Sequence, residues 1–134
     1  MSRSMGYEAP GDSRGQKPRY AEPEPYAVLL AKIEELDAYT HTVLQQYPKL
    51  ERHLLCHDIR RSMADIQRHA VVAWKRYHKK TTLQEMDIEV EVLRIWLRKS
   101  VHLKYITPHR YQVWATHVNE IGRMVGGWIK ATNQ

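Results

Sequence analysis

The sequence predicts an all-α protein, an up-down-up-down four-helix bundle, on three observations. Apolar residues recur at alternating spacings of three and four along four successive segments, which is the period of an amphipathic helix. The connections between these segments are short, so consecutive helices are expected to be antiparallel neighbours. No segment shows the alternation of a strand. The 134 residues are one domain by length, and they are enough to bury one core without disulfides or metal.

Helix one is preceded by a proline-rich segment. Residues 1–25 contain four of the six prolines and three of the six glycines, so we expect a disordered tail there. Helical spacing begins at Tyr26 and continues to Tyr47, and Pro48 is expected to end the helix. The folded domain is therefore assigned to residues 26–131.

Helices two and three follow with their own apolar stripes. The second stripe runs from Cys56 to Tyr77 and places both residues on the core face of helix two. Thr82, followed three residues later by Glu85, is a capping-box pattern that predicts the start of helix three. Helix three is expected to continue to about Lys104.

Helix four has a clear start signal and an unusual glycine pattern. Thr107 before Pro108 combines a good N-cap residue with a proline at the first helical position. The apolar stripe that follows reaches Trp128. Gly122 and Gly126 are costly inside a helix, and either close packing against a neighbouring helix or a frayed end would explain them.

Two connections carry a surplus of positive charge. In the predicted bundle, residues 47–53 and 98–110 lie at the same end, where six basic side chains oppose the single carboxylate of Glu51. Such a surplus attracts a phosphate backbone, and the net charge of +6 favours a polyanionic partner. The alternative is a solvated surface that only matches the helix dipole. The candidate binding residues are Lys49, Arg52, Arg98, Lys99, Lys104 and Arg110.

Two tyrosines near these connections allow two interpretations. Tyr47 and Tyr105 could stack on bases or pack over a helix end. At the opposite end of the bundle, four basic residues between Lys75 and Lys80 are expected to be largely neutralised by the acidic first half of helix three.

Helix three carries a second apolar stripe, formed by Ile88, Val92 and Ile95, on a different face from its core stripe. A helix of a monomeric bundle needs only one such face. The second stripe therefore predicts an oligomer interface, unless neighbouring helices cover it.

The sequence predicts no catalytic residues, no cofactor and no metal site. It contains no phosphate loop, dinucleotide fingerprint or nucleophile elbow. His53 and His57 are placed one turn apart on predicted helix two, but no Glu-x-x-His motif accompanies them, which disfavours a di-iron bundle. The single cysteine excludes an internal disulfide and favours a reducing compartment. With no signal sequence or membrane span, we expect a soluble cytoplasmic protein that is not an enzyme and does not bind membranes.

Three segments in the second half of the chain resemble the accessory variability determinant (Avd) of diversity-generating retroelements. The resemblance extends over roughly residues 26–131 as a four-helix pattern. The segments are Leu93-Arg94-Ile95-Trp96-Leu97-Arg98, Ile106-Thr107-Pro108-His109 and Glu120-Ile121-Gly122-Arg123-Met124-Val125-Gly126-Gly127-Trp128-Ile129.

The resemblance implies a basic homopentameric barrel of four-helix bundles without catalytic activity. Such a protein binds the retroelement reverse transcriptase, and RNA or DNA, during mutagenic copying of a template repeat. Carried over by position, Arg94 and Arg98 are the best candidates for binding, and their spacing puts them on one helical face. Trp96 is expected to pack rather than bind.

Two alternatives stay open at this point. Bundle proteins encoded in intervening sequences of bacterial large-subunit rRNA are similar and also form pentamers, but they have no assigned reverse transcriptase. A reverse-transcriptase gene and a template repeat beside this gene would distinguish the two. The second alternative is a structural oligomer without a nucleic-acid function.

Overall fold

A computed structural model describes residues 24–132, which form four α-helices and one short 3-10 helix. Helix α1 packs beside α2 and α4, helix α3 packs beside α2 and α4, and among these residues the backbones of the diagonal pairs do not approach each other closely. This ring of neighbours is that of a four-helix bundle and confirms the predicted all-α class. The elements are α1 Pro25–Leu44, the 3-10 helix Lys49–His53, α2 Leu55–Lys75, α3 Lys80–His102 and α4 Pro108–Thr132.

The core consists mainly of residues of the four predicted stripes, joined by Leu44, Leu55 and Ile106. One buried polar contact lies within it, where Trp114 Nε1 donates a hydrogen bond of 2.9 Å to Thr40 Oγ1. Cys56 is 2% exposed, as predicted, and burial raises the pKa of its thiol. The apolar residues that are completely buried include Leu29, Ile33, Val43, Ile59, Ile66, Ala70, Leu83, Met86, Val90, Leu93, Trp114 and Val125.

Helix α2 ends earlier than predicted, so Tyr77 is not a core residue. The helix stops at Lys75, Arg76 is extended (φ −85°, ψ 151°), and Tyr77 is 89% exposed. The cause lies at Lys79, whose Nζ donates to the carbonyl oxygens of Ala73 (2.5 Å), Trp74 (3.2 Å) and Arg76 (2.6 Å). An ammonium group in this position satisfies the carbonyls that a helix leaves unpaired at its C-terminus.

Two further expectations about helix starts are wrong. His53 belongs to the 3-10 helix and not to α2, so it does not stand one turn from His57 on the same helix. The capping box does not form, because α3 already begins at Lys80 and the side chain of Thr82 is buried. The expected start of α4 is confirmed, since Thr107 Oγ1 accepts a hydrogen bond of 3.0 Å from the backbone nitrogen of Arg110.

Helix α3 ends in a Schellman motif with lysine at the position that usually holds glycine. The backbone nitrogen of Tyr105 donates to Ser100 O and that of Lys104 donates to Val101 O, both at 3.0 Å. This pattern requires a left-handed residue after the helix, and Lys104 adopts that conformation with φ 64°. A non-glycine residue there costs about 1–2 kcal/mol.

Candidate nucleic-acid interface

The antiparallel order of the helices brings the two basic connections together, as predicted. Tyr105 Oη donates a hydrogen bond of 2.6 Å to Glu51 Oε2, which joins the connection after α3 to the 3-10 helix. The rings of Tyr47 and Tyr105 also meet, with centroids 5.2 Å apart. We call this end of the bundle the basic pole and define it by Lys49, Arg52, His53, Lys99, His102, Lys104, His109 and Arg110.

The only carboxylate in these two connections, Glu51, is hydrogen-bonded by the protein's own donors. The hydrogen bond from Tyr105, a second one from the backbone nitrogen of Leu55 and the nearby Lys99 keep the pKa of Glu51 below its ordinary value. Glu51 is therefore ionised at neutral pH, yet both of its oxygens already accept hydrogen bonds from the protein. It offsets one positive charge of the pole, whereas Lys49, Arg52, Lys99 and Lys104 are exposed to solvent.

The tyrosines of the basic pole pack rather than offer free faces. Tyr47 is only 8% exposed, and burial raises the pKa of Tyr47 to about 12. The hydrogen bond to Glu51 raises the pKa of Tyr105 as well. Of the two interpretations for these rings, packing over the helix ends is the one that the structure supports.

The cations of the basic pole line two grooves. Lys104 and Arg110 share a groove with Gln46 and Tyr105 at the start of α4. On the other side, Arg52, His53, His57, Arg60 and the neighbouring apolar residues form a groove with no carboxylate in its lining. His57 and Arg60 were not among the candidates; their spacing of three on α2 is the signal that places them on one face.

Arg94 and Arg98 lie along α3, outside this pole, and Arg94 is already engaged. Its guanidinium donates to Asn119 Oδ1 at 3.0 Å and to Glu91 Oε1 at 2.9 Å. Arg98 is more exposed and approaches Glu91 at 3.9 Å. Of the two, Arg98 is the one that offers its donors to a partner, and the binding role of both stays a prediction.

Within residues 24–132, the second apolar stripe of α3 is only partly covered. Ile88 is 63% exposed and Ile95 is 46% exposed, whereas Val92 is half-buried. Val92 and Trp96 line a groove with residues of α2, among them Asp58 and Arg61. Neighbouring helices therefore do not explain Ile88 and Ile95, and the oligomer interface stays a prediction.

At the other end of the bundle, the expected neutralisation is wrong. Three acidic residues of α3 contact other partners. Glu85 lies 3.7 Å from His69, Glu89 accepts a hydrogen bond of 2.9 Å from Ser62, and Glu91 pairs with Arg94. Within residues 24–132, Lys75, Arg76 and Lys80 form no ion pair. The first acidic residue of α3, Glu85, lies more than one turn after the helix start at Lys80.

Within residues 24–132, no group of three or more histidine, cysteine, aspartate or glutamate side chains is placed to hold a metal ion. Among the helices of the same range, none combines the length and the apolar character needed to cross a membrane.

A family model described as bAvd-like matches residues 27–132, which covers all four helices. No curated protein matches the chain. The matched range corresponds to the described bundle and includes the basic pole.

Proposed function

The chain belongs to the bAvd-like family, and we propose that it is a non-catalytic accessory protein of a diversity-generating retroelement. In this role it binds the element's reverse transcriptase, and RNA or cDNA, to support mutagenic reverse transcription. The observation that carries the proposal is the basic pole, where cations from three segments of the chain surround one internally bonded carboxylate.

The chemistry of the basic pole suits a phosphate backbone. Its lysines and arginines lie mainly at the surface, and two of its grooves are lined by basic side chains from more than one segment. Such contacts release counterions and depend steeply on salt, but they carry little sequence information. We therefore expect binding that tolerates many sequences and weakens as salt increases.

We further propose that the protein assembles into a homopentameric barrel through the second apolar stripe of α3. The exposed Ile88 and Ile95, with the half-buried Val92 between them, form an apolar surface of the kind that a subunit interface buries. Assembly would also multiply the basic pole, because each subunit contributes one copy.

The proposal is tested by co-purification with the reverse transcriptase encoded nearest to this gene and by titration with RNA at several salt concentrations. The pole variant combines Lys49→Glu and Arg52→Glu, and a second variant carries Arg98→Glu. The control for the pole variant combines Arg68→Glu and Arg123→Glu. Both residues are exposed and lie away from the pole, and the two changes alter the net charge as much as those of the pole variant do. Arg94 is avoided, because its reversal would break its contacts with Asn119 and Glu91.

We expect the wild type and the control to bind RNA and the polymerase. The pole variant is expected to lose RNA binding, with a shallower salt dependence in whatever remains. RNA binding by the pole variant that equals the wild type would point to a structural oligomer instead. RNA binding without any complex with a reverse transcriptase would favour the rRNA-associated bundle proteins.

A further inference from the structure

The connection between α2 and α3 presents aromatic rings and positive charges together. Tyr77 is 89% exposed and Trp74 is 37% exposed, although large aromatic side chains are usually well buried. His78 meets Tyr77 edge to face, with ring centroids 4.8 Å apart. We call residues 74–80 the aromatic-basic turn, since its other members are Lys75, Arg76, Lys79 and Lys80.

One lysine of this turn fixes it in place. The Lys79 ammonium binds three carbonyl oxygens at the end of α2 and lies 5.2 Å from the centroid of the Tyr26 ring. Tyr26 in turn packs on Trp128 of α4, with centroids 4.4 Å apart. These contacts brace the backbone of the turn against α1 and, through Tyr26, against α4, so the backbone needs little ordering on binding.

The remaining cations of the turn are available to a ligand. Lys75 lies over its neighbour Trp74, 4.3 Å from the ring centroid, while Arg76 and Lys80 are exposed. None of the three forms an ion pair within the described residues. The segment 1–23 carries four basic and three acidic side chains, so its charge does not complement this surface.

We propose that the aromatic-basic turn is a second nucleic-acid site, which binds the unpaired bases of a single strand. The Tyr77 ring, together with Trp74, stacks on bases, and Lys75, Arg76 and Lys80 contact the flanking phosphates. Base stacking on exposed aromatic rings within a positively charged surface is the general mode of binding single strands. A duplex offers no free base faces, so this site discriminates unpaired from paired strands.

The second site is separate from the basic pole. It lies at the other end of α2, whose 21 residues span about 30 Å. This inference rests on the proposed function only in one respect, which is that both sites bind nucleic acid. One bundle can therefore bind the phosphates of one region of a nucleic acid at the basic pole and the unpaired bases of another region at the aromatic-basic turn.

The test compares two single strands of about 12 nucleotides, one of thymidines and one of abasic sites with the same number of phosphates. Labelled strands are titrated into the full chain at fixed salt. We expect Tyr77→Ala to bind the thymidine strand about tenfold more weakly and the abasic strand as the wild type does. Tyr77→Phe keeps the ring and is expected to match the wild type on both strands. Tyr77→Leu keeps apolar area without a ring and is expected to resemble Tyr77→Ala.

Equal binding of the thymidine strand by the wild type and Tyr77→Ala would overturn this inference. The proposed function would survive that result if the variant with Lys49→Glu and Arg52→Glu still lost binding. A change in oligomer mass caused by Tyr77→Ala would assign the turn to a subunit contact and also overturn the inference.

Nitration of the free full chain with tetranitromethane gives a further check, since a Tyr77 that resists nitration is already covered by the protein itself. Finally, the binding of a uridine strand is compared with that of the thymidine strand, to distinguish whether the site prefers RNA or DNA.

Discussion

The Arg94 guanidinium of α3 occupies the space that a side chain at Gly122 of α4 would need. The same group donates to Asn119 on α4 and to Glu91 on α3. Gly122 is therefore explained by the passage of an arginine side chain between two helices. In contrast, Gly126 and Gly127 have open space around the position of a Cβ atom.

Alanine substitutions at these glycines are expected to differ. Gly126→Ala and Gly127→Ala should each raise the free energy of unfolding by about 0.5–1 kcal/mol, because glycine is a poor helix former and nothing obstructs the new methyl group. Gly122→Ala should gain less, since Arg94 must give up its hydrogen bonds to move aside. Chemical denaturation measures all three values.

An Arg94→Ala background provides the control for this prediction. Once the guanidinium is absent, Gly122→Ala should recover the full gain seen at Gly126. The same small gain in both backgrounds would show that Arg94 is not what the glycine accommodates.

Lys104→Gly is expected to stabilise the bundle by about 1 kcal/mol, because glycine adopts the left-handed conformation of this position without the steric cost of a Cβ atom. The same change should weaken RNA binding, since it removes a cation of the basic pole. Lys104→Ala is the matched variant: it loses the amino group but keeps the strain. Equal unfolding midpoints for the glycine and alanine variants would contradict the strain argument.

Tyr105→Phe is expected to flatten the acid dependence of stability. Tyr105 is the main cause of the lowered pKa of Glu51. The unfolded chain therefore takes up the proton first as the pH falls, and the stabilisation, complete above the ordinary pKa of about 4.5, is lost below it. In Tyr105→Phe only the Leu55 and Lys99 contributions remain, so less stability is lost. Unfolding titrations from pH 6 down to about pH 3 test this, and curves of equal steepness would contradict it.

Thr40→Val is expected to destabilise the bundle by about 1–3 kcal/mol, because it leaves the buried Trp114 N–H without its acceptor at unchanged side-chain shape. Thr40→Ser keeps the hydroxyl and removes a methyl group, so it reports the packing contribution alone. A valine variant as stable as the serine variant would mean that water satisfies the indole instead.

If the proposed oligomer forms, Ile88→Glu combined with Ile95→Glu is expected to reduce it to single chains, because desolvating charged side chains in an apolar interface is costly. The melting transition of the bundle itself should remain, since both side chains are exposed in one chain. Light scattering measures the mass. Thr116→Glu, an exposed position of α4, serves as the control, and an unchanged mass in the isoleucine variant would remove the interface from this face.

The helices and their core could be predicted because burial imposes its period on the sequence. The stripes through Ile33, Ile66, Val90 and Val118 identify all four helices, and antiparallel order alone places Tyr105 near Glu51. Both expectations depend on averages over many residues, so an error at one position does little harm.

The helix ends could not be predicted as well, because each depends on a single tertiary contact. The lysine that ends α2, Lys79, acts through carbonyls up to six residues earlier. Thr82 has the residue type of a cap but is drawn into the core, and Lys104 adopts a conformation that its residue type disfavours. For the candidate site, the charge surplus was visible in the sequence, whereas the engagement of Arg94 by Asn119 requires the positions of both helices.

The packing of Tyr26 on Trp128 places the start of α1 and the end of α4 side by side, at the end of the bundle that holds the aromatic-basic turn. The basic pole is consequently built only from internal connections of the chain, and neither flanking segment leaves the bundle there. A fusion partner, affinity tag or surface tether joined directly at Pro25 or Thr132 leaves the basic pole facing away from the attachment point. The same attachments crowd Tyr77, so immobilised protein presents its two candidate surfaces unequally.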